Sequence, residues 1–318
     1  MKAMVLNEFG SADNLSLQDR DMPKVGDHDV LVKVHATSVN PADIGVRQGM
    51  FGAFKTPPLV LGFDVAGVVM EVGSGVSTVN VGDEVYYGVD LMSPKDAGNA
   101  EYHVAHEATV TKKPSNMDFA EAAAVPIAGG TAYVALFRSM GLQLGQSILI
   151  HGAAGGVGTY AVQLAKATGA FVIASCGDYD VDLVRSLGAD VVVDYKNEDV
   201  FERARAATNG IGVDTVLDAS GGKMAAASIP VTKENGHIAT ITGVQGDLNP
   251  AMRNNISVHF VHLSETKKQL EHLRTLIERG QLKSVIGAKY SLEQLPDAHK
   301  LVEQGGSAVH GKVVVTVG

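Results

Sequence analysis

Short apolar segments alternate with glycine turns in the first part of the chain. Val30–Val34 and Val65–Val72 are rich in valine, as β-strands are. The turns that interrupt this pattern contain Gly26-Asp27, Gly73-Ser74-Gly75 and Gly82-Asp83. Short strands joined by tight turns over roughly the first 115 residues predict a compact, barrel-like β domain with little helix.

The pattern changes near Asp118. Asp118 and Glu121 open a helical segment with the acidic residues that a helix N-terminus favours. Beyond it, apolar runs alternate with amphipathic segments. They predict strands at 147–151, 171–175, 191–194, 213–217 and 237–242, and helices at 158–168, 181–187 and 198–208. This alternation predicts a doubly wound parallel sheet with helices on both faces.

The C-terminal part returns to the first pattern. A long amphipathic helix is predicted at 264–279, ended by Gly280, and a strand at 312–317. With 318 residues, the chain is longer than one ordinary core requires. We therefore expect an α/β protein in which a doubly wound domain (121–262) is inserted into a β-rich domain built from both ends of the chain (1–120 and 263–318).

Composition limits the classes of function. A net charge of −9 disfavours a nucleic-acid partner, because such a surface repels phosphate backbones. Cys176 is the only cysteine, which excludes an intrachain disulfide and fits the reducing cytoplasm. The longest apolar stretch, at 122–137, is too short to span a bilayer, and the N-terminus lacks a signal-peptide core. We expect a soluble, cytoplasmic protein with no membrane partner.

The most specific motif is the segment His151-Gly152-Ala153-Ala154-Gly155-Gly156-Val157-Gly158. It follows an apolar strand and opens an amphipathic helix. Small side chains let the backbone approach a pyrophosphate, and N–H groups at the helix N-terminus bind it with the help of the helix dipole. A tight strand-to-helix turn has a similar composition, but the surrounding strands and helix favour a dinucleotide-binding loop.

The preference between NAD and NADP depends on the end of the second strand, at Ser175-Cys176-Gly177-Asp178. NAD sites place a carboxylate there for the ribose diol, and NADP sites avoid it. Ser175 and Cys176 are small and neutral, so NADPH is the expected cofactor and NADH the alternative. Asp178 and Asp180 argue against this preference unless they cap the helix that begins near Val181.

Further segments resemble one family over essentially the whole chain. The sequence resembles the zinc-independent quinone oxidoreductases, a branch of the medium-chain dehydrogenase/reductase superfamily. The segments that carry the resemblance are Val39-Asn40-Pro41-Ala42-Asp43, Leu61-Gly62-Phe63-Asp64-Val65-Ala66-Gly67, Val81-Gly82-Asp83-Glu84-Val85, Gly130-Thr131-Ala132-Tyr133, Ala153 to Gly158, Ser186-Leu187-Gly188-Ala189-Asp190, Asp194-Tyr195 and Gly311-Lys312-Val313-Val314. The resemblance implies a Rossmann NADP-binding domain inserted into a GroES-like catalytic domain.

The resemblance also bears on zinc. Zinc-dependent relatives carry a cysteine where this chain has Asn40, and a His-Glu pair where it has Phe63-Asp64. Phenylalanine cannot ligate a metal, and the cysteine-rich loop that holds a second zinc is missing. The closest histidine pairs in the sequence are His103 with His106 and His259 with His262. Neither pair has an obvious further ligand beside it, so we expect no metal.

Without zinc to stabilise an alkoxide, alcohol oxidation is disfavoured. The resemblance implies hydride transfer from NADPH to an electron-poor small molecule, either a quinone or an α,β-unsaturated carbonyl compound. In that reaction the protein mainly supplies position, exclusion of water and one or two hydrogen bonds.

The resemblance implies roles for particular residues. Asn40 and Asp43 should border the nicotinamide and substrate pocket. The other expected cofactor contacts are Thr131, Ile241, Thr242 and Gly243 towards the nicotinamide, Gly155, Gly156 and Val157 at the pyrophosphate, and Ser175 and Tyr195 at the adenosine ribose and its phosphate.

Two departures from the family pattern affect these expectations. Gly45 stands where characterised quinone oxidoreductases often carry a tyrosine, which puts quinone as the substrate in question. A lysine that grips the 2′-phosphate in some relatives has no match around 178–182, which suggests a looser preference for NADP. We assign no catalytic acid, because reduction of a quinone or enone can take its proton from water.

Two other functions fit the same motifs. One is a non-catalytic NADPH-binding protein, crystallin-like or regulatory, since a cofactor site can persist after chemistry is lost. The other, less favoured without zinc ligands, is an alcohol dehydrogenase. The resemblance also implies a homodimer that joins nucleotide-binding domains edge to edge, for which the strand segment Ile256 to Val261 is the candidate.

Overall fold

A computed structural model describes residues 1–50, 52, 56–93, 95–263, 267–305 and 309–318. The chain divides into two compact units. Unit 1 comprises Met1–Ile127, Ser264–Gly280 and Ser284–Gly318, and unit 2 comprises Ala128–Leu263 and Gln281–Lys283. In the part of the chain that the structure describes, no helix is both long and apolar enough to cross a membrane.

Strands are the main regular structure of unit 1 and form the centre of unit 2. In chain order the described strands are β1 (Lys2–Leu6), β2 (Leu15–Asp19), β3 (Asp29–Val39), β4 (Leu59–Val60), β5 (Asp64–Val72), β6 (Glu84–Gly88), β7 (Tyr102–His106), β8 (Thr111–Lys112), β9 (Ser147–His151), β10 (Phe171–Cys176), β11 (Val191–Asp194), β12 (Val213–Asp218), β13 (Thr232–Thr240), β14 (Ser257–Phe260), β15 (Ile286–Ser291) and β16 (Lys312–Thr316).

The described helices are α1 (Pro41–Arg47), α2 (Phe119–Ala123), α3 (Pro126–Tyr133), α4 (Gly156–Ala167), α5 (Val181–Ser186), α6 (Val200–Ala207), α7 (Met224–Ala227), α8 (Asn249–Arg253), α9 (Lys267–Glu278) and α10 (Leu295–Gln304). A π-helical segment, Val134–Ser139, continues directly from α3.

Unit 1 is built around the long strand β3. Its seven-stranded sheet has the order β15-β16-β3-β5-β6-β8, and β7 also pairs with β3. Strands β5 and β16 both run antiparallel to β3, so the C-terminal strand pairs with a strand near the start of the chain. Val30, Val32 and Val34 of β3 are buried in the core of this unit, as expected for the valine-rich strand predicted at 30–34.

Unit 2 contains a six-stranded parallel sheet of order β11-β10-β9-β12-β13-β14. All five residues of β9 are buried, as expected for a strand with both faces covered. Helix α4 packs against β9 and β10, α5 against β10 and β11, and α7 against β12. The parallel sheet of unit 2 and the separate antiparallel-rich sheet of unit 1 confirm the predicted α/β fold class.

Most element boundaries lie close to the predicted ones. Helix α4 begins at Gly156 instead of residue 158, because Gly155 is the extended N-cap residue. Helix α9 begins at Lys267 and is followed by Gly280 at φ +71°; the predicted start at 264–266 lies outside the described residues. The units divide at Ile127/Ala128, since α2 packs on β3 and β5 of unit 1. The domain boundary predicted at 120/121 stays a prediction.

Helix α10 carries a buried imidazole, His299. His299 has no exposed surface, and neither ring nitrogen has a hydrogen-bond partner among the described residues. Burial, with a smaller effect of the Arg47 charge, lowers the pKa of His299 to about 3. The ring is therefore neutral in the folded protein, and its nitrogens lose their hydration without compensation.

We expect His299→Leu to raise the free energy of unfolding by about 1–3 kcal/mol, because leucine fills a similar volume without unpaired nitrogens. The unfolded imidazole binds a proton below its pKa of 6.5, whereas the folded one does not until about pH 3. The wild type is therefore fully stable above pH 6.5 with respect to this group and loses stability as the pH falls. Thermal unfolding at about pH 5.5 and about pH 7.5 should show the larger gain at the lower pH. An equal or lower melting temperature for the variant at both values would contradict the expectation.

Candidate functional site

The glycine-rich loop lies where ligands bind in parallel sheets. It follows β9, which pairs with β10 on one side and with β12 on the other, so the strand order changes direction at β9. Open α/β sheets bind ligands in the crevice at the carboxyl ends of their strands, at this change of direction. The topology of unit 2 therefore places the motif at the position that a dinucleotide site requires.

Two glycines shape this loop. Gly152 has a φ of +70°, a left-handed conformation that other residues rarely adopt. At Gly158, a Cβ atom would lie 2.1 Å from the Gly152 carbonyl oxygen and 2.7 Å from the Ala153 Cα. The helix therefore packs against the strand-to-helix turn so closely that only glycine fits at 158.

The N-terminus of α4 fits a pyrophosphate. Gly155 is an exposed N-cap without a side-chain cap, and Gly156 and Val157 form the half-exposed first turn. Within the described residues, a Cβ at Gly155 would meet only the Gly152 oxygen, at 3.4 Å. Open space beside uncapped N–H groups at a helix N-terminus is the arrangement that binds anions.

Ser175, predicted at the adenosine ribose, is buried at the end of β10. Its backbone oxygen accepts a hydrogen bond from Ala153 N at 3.0 Å, and its hydroxyl lies 3.2 Å from His151 Nδ1. The other His151 nitrogen lies 2.9 Å from Ser228 Oγ. Burial lowers the pKa of His151 to about 4, so the ring is neutral. Ser175 thus supports the phosphate loop, while its contact with the ribose stays a prediction.

The carboxyl end of β12 lies next to this loop, where Ala219 N donates to the His151 oxygen at 3.2 Å. The buried Asp218 accepts hydrogen bonds from Ser220 N at 3.0 Å, Gly221 N at 2.8 Å and Ala225 N at 3.1 Å. The sequence motifs did not single out Asp218, whose signal is a carboxylate at the end of an apolar strand followed by glycines. Asp218 therefore holds the turn that follows β12, the neighbour of β9 on the side opposite β10.

The remaining predicted cofactor contacts of unit 2 lie after β13, on α3 and after β11. Ile241, Thr242 and Gly243 follow β13, where Thr242 and Gly243 are exposed and Thr242 N donates to Thr240 Oγ1 at 3.3 Å. Thr131 lies on α3 and is 9 % exposed. Tyr195 follows β11 and is 51 % exposed.

A buried polar network in unit 1 contains both predicted pocket residues. Asn40, the N-cap of α1, is 3 % exposed, and Asp43, in the first turn, is fully buried. The Asn40 amide nitrogen donates to Asp64 at 2.8 Å and to Asp43 at 3.4 Å, and its amide oxygen accepts from Lys312. Both ends of this amide are thus engaged inside the protein.

Asp64 is the centre of the network. It is fully buried at the start of β5 and accepts hydrogen bonds from Ser38 Oγ, from the Lys312 ammonium at 3.3 Å and from Ile127 N at 2.8 Å. Lys312 is itself 4 % exposed. The sequence singled out Lys312 only as part of its last segment, since no local pattern pairs a lysine with a carboxylate 248 residues earlier.

Asp43 carries the most perturbed carboxyl group of the network. Burial, with a smaller contribution from the neighbouring Asp64, raises its pKa to about 7, while the N–H groups of Asn40 and Gly62 and the Lys312 ammonium oppose the rise. A raised folded-state pKa means that stability from this group is complete below the ordinary aspartate pKa of 3.8 and is lost as the pH rises towards 7.

We expect the Asp43 carboxyl carbon to titrate with a midpoint near 7, because the group is fully buried and lies close to a second carboxyl group, Asp64. Carbon-13 NMR of labelled aspartate, with Asp43→Asn to assign the signal, measures the midpoint. An Asp43 signal that titrates like an exposed aspartate would contradict this expectation.

The positions that correspond to zinc ligands in zinc-dependent relatives, Asn40 and Phe63-Asp64, make other contacts in this protein. Phe63 is 1 % exposed and packs in the core of unit 1, while Asn40 and Asp64 contact the Lys312 ammonium. His103 lies 2.9 Å from the Tyr87 hydroxyl, and His259 lies 3.1 Å from His237. Across the described ranges, no three His, Cys, Asp or Glu side chains are grouped as metal ligands.

Comparisons with known proteins agree with this architecture. The family "Alcohol dehydrogenase GroES-like domain" matches residues 26–136, and "Zinc-binding dehydrogenase" matches residues 187–315. A chloroplastic NADPH-dependent alkenal/one oxidoreductase from Arabidopsis thaliana is 38 % identical over 99 % of this chain and 79 % of its own. The quinone oxidoreductase of Homo sapiens is 33 % identical over 99 % of this chain and 97 % of its own.

A solved structure gives the same result for the fold. A protein described as an NAD-dependent alcohol dehydrogenase matches with a TM-score of 0.92 and 31 % identity over the whole of both chains. Matches at this identity over nearly the full length establish common ancestry, and they confirm the predicted family. The chain belongs to the quinone oxidoreductase-like branch of the medium-chain dehydrogenase/reductase superfamily.

Proposed function

We propose that this protein is an NADPH-dependent reductase that acts on a quinone or an α,β-unsaturated carbonyl compound. The observation that carries the proposal is the uncapped N-terminus of α4, set at the change of strand direction with open space beside Gly155. The names of the relatives, an alkenal/one oxidoreductase and a quinone oxidoreductase, support both classes of acceptor.

Most of the proposed cofactor contacts in unit 2 lie at or just after the carboxyl ends of its parallel strands. Gly155, Gly156 and Val157 hold the pyrophosphate, Gly156 and Val157 through their N–H groups. The Gly155 N–H donates to the Gly152 oxygen at 3.1 Å, so this residue contributes the open space beside the helix N-terminus. The assigned contacts elsewhere are Ser175 and Tyr195 at the adenosine end, and Asn40, Thr131, Ile241, Thr242 and Gly243 at the nicotinamide end. The absence of a carboxylate at Ser175 and Cys176 supports NADPH over NADH.

When bound, NADPH supplies the hydride for reduction. The reaction consumes one further proton, converting NADPH, a proton and a quinone into NADP and a hydroquinone. Both ends of the Asn40 amide, and both carboxylate oxygens of Asp43, are already hydrogen-bonded inside unit 1. We therefore assign these residues a positioning role at the pocket wall and take the proton from water.

We further propose that the reaction needs no zinc. The donor set at the compared positions does not fit the metal, because Phe63 has no ligand atom and the Lys312 ammonium already neutralises Asp64. A second cation beside this lysine would be repelled. No step of the proposed reaction passes through a metal.

We propose a homodimer formed through β14. This strand is at the edge of the six-stranded sheet, where its unpaired backbone groups are a template for another strand, and Phe260 on it is 66 % exposed. A monomeric mass by light scattering at micromolar concentration would overturn the dimer.

The buried free thiol of Cys176, the only cysteine, supports a reducing compartment, and we propose the cytoplasm.

The first test is oxidation of NADPH with a panel of small quinones and enones, each assayed with NADH and with EDTA in parallel. We expect turnover that EDTA does not inhibit and that prefers NADPH, and the best acceptor identifies the substrate class. Tight NADPH binding without turnover on any acceptor would overturn the reductase and favour a binding or regulatory protein. Loss of activity in EDTA, restored by zinc, would overturn zinc independence.

A further inference from the structure

The carboxyl ends of β10 and β11 bring four polar side chains together in unit 2. These strands are parallel and adjacent, with Cys176 in register with Asp194. The residues that follow each strand therefore emerge side by side. They are Asp178 and Tyr179 after β10, and Tyr195 and Lys196 after β11.

Lys196 is held by contacts from the neighbouring loop. Its ammonium lies 2.9 Å from Asp178 Oδ1 and 4.7 Å from the centre of the Tyr179 ring. The lysine and aspartate side chains are 44 % and 55 % exposed. Tyr179 and Tyr195 are 48 % and 51 % exposed, so the whole group is open to solvent.

Asp178 is, with Asp180, one of the two residues that argue against NADP in the sequence. A carboxylate near the end of the second strand favours a ribose diol and repels a 2′-phosphate. Here the Lys196 ammonium neutralises that charge. An exposed ion pair is weak, so an entering phosphate dianion can replace the carboxylate at little cost.

We propose that Lys196 selects the 2′-phosphate of NADPH, with Asp178 as its counter-ion while the cofactor is absent. The inference rests on the proposed function and names the residue that sets the cofactor preference. Lys196 thus supplies, from the end of β11, the cation that the loop after β10 lacks. The phenol groups of Tyr179 and Tyr195 stand beside it as hydrogen-bond donors.

Binding, measured apart from turnover, tests the proposal. Calorimetric titrations of the full chain use NADPH, NADH, adenosine 2′,5′-bisphosphate and AMP. For Lys196→Gln we expect NADPH and the bisphosphate to bind at least about tenfold more weakly, while NADH and AMP change less than about twofold. Asp178→Asn should bind NADPH more tightly, because Lys196 loses its competing carboxylate.

A matched variant controls for loss of one positive charge in unit 2. Lys166 pairs with Asp190 at 2.8 Å and is 31 % exposed, so Lys166→Gln removes a similar ion pair elsewhere. It should leave the ratio of NADPH to NADH affinity unchanged. The preference of the wild type for the bisphosphate over AMP should fall with salt, and Lys196→Gln should reduce that dependence.

The outcomes separate the two proposals. Tight NADPH binding by the wild type with an unchanged affinity ratio in Lys196→Gln would overturn the role of Lys196 alone. Weaker NADPH binding by Asp178→Asn would overturn the counter-ion role of Asp178. A wild type that binds neither NADPH nor the bisphosphate would overturn the proposed function itself.

Discussion

Replacing Gly158 with alanine should destabilise unit 2 by about 1–3 kcal/mol and weaken NADPH binding by at least about tenfold. The added Cβ would lie 2.1 Å from the Gly152 oxygen, so the turn or α4 must move. The turn cannot retreat freely, because the Ala153 N–H is bonded to the Ser175 oxygen at 3.0 Å. Any movement displaces the N–H groups assigned to the pyrophosphate. Thermal unfolding and calorimetric titration measure the two effects.

Gly155→Ala is the matched control for this change. Its Cβ would meet the Gly152 oxygen at 3.4 Å, which is ordinary contact, and its φ of −75° suits alanine. We expect stability to change by less than about 0.5 kcal/mol, while NADPH binds more weakly because a methyl group occupies the space beside the helix N-terminus. Equal losses of stability in both alanine variants would show that the close approach at Gly158 is not the cause.

Lys312→Met is the second large change, with an expected loss of about 3–5 kcal/mol of unfolding free energy near neutral pH. The substitution leaves the Asp64 carboxylate fully buried without its ammonium, and removes a donor to the Asn40 amide oxygen. Burying an unpaired charge costs more than the pair contributes when intact. Urea-induced unfolding of wild type and variant measures the loss.

Two further variants identify the cause. Lys289→Met removes an exposed lysine from β15, two strands from β3, and should cost less than about 0.5 kcal/mol. The double variant Lys312→Met with Asp64→Asn has no unpaired charge and should recover part of the loss. If the double variant is as unstable as the sum of the two single variants, the buried charge is not responsible.

The pattern of apolar positions predicted those strands and helices that a short stretch of sequence determines by itself. Strand β9 spans Ser147–His151 as predicted, since five consecutive buried residues leave little choice of register. Strand β13 begins at Thr232, five residues before the predicted 237, and includes Asn235 at φ +61° and Gly236. Polar residues and a residue in the left-handed conformation interrupt the alternation of apolar and polar positions. The first part of β13 therefore could not be recognised from the sequence.

The charged contacts of the candidate site could not be predicted in the same way. The Lys312–Asp64 pair joins residues 248 apart, and the Lys196–Asp178 pair joins the ends of two neighbouring strands. A lysine in a sequence carries no sign of which carboxylate it will meet. The family resemblance indicated Asn40 and Asp43, but only the fold shows that their side chains are engaged in a buried network.

The pairing of β16 with β3 affects how the chain is synthesised. Residues 128–263 contain all six strands of the parallel sheet, so a ribosome that has passed Leu263 has delivered a complete sheet for unit 2. At that moment β3 can pair with β5 and β7. The residues of β3 that pair with β16 in the complete fold, 36–39, still lack that partner strand. Nascent chains with an open edge are prone to pair with one another. A slow stretch of translation after Leu263 should therefore favour aggregation through unit 1, while the parallel sheet of unit 2 already has all its strands.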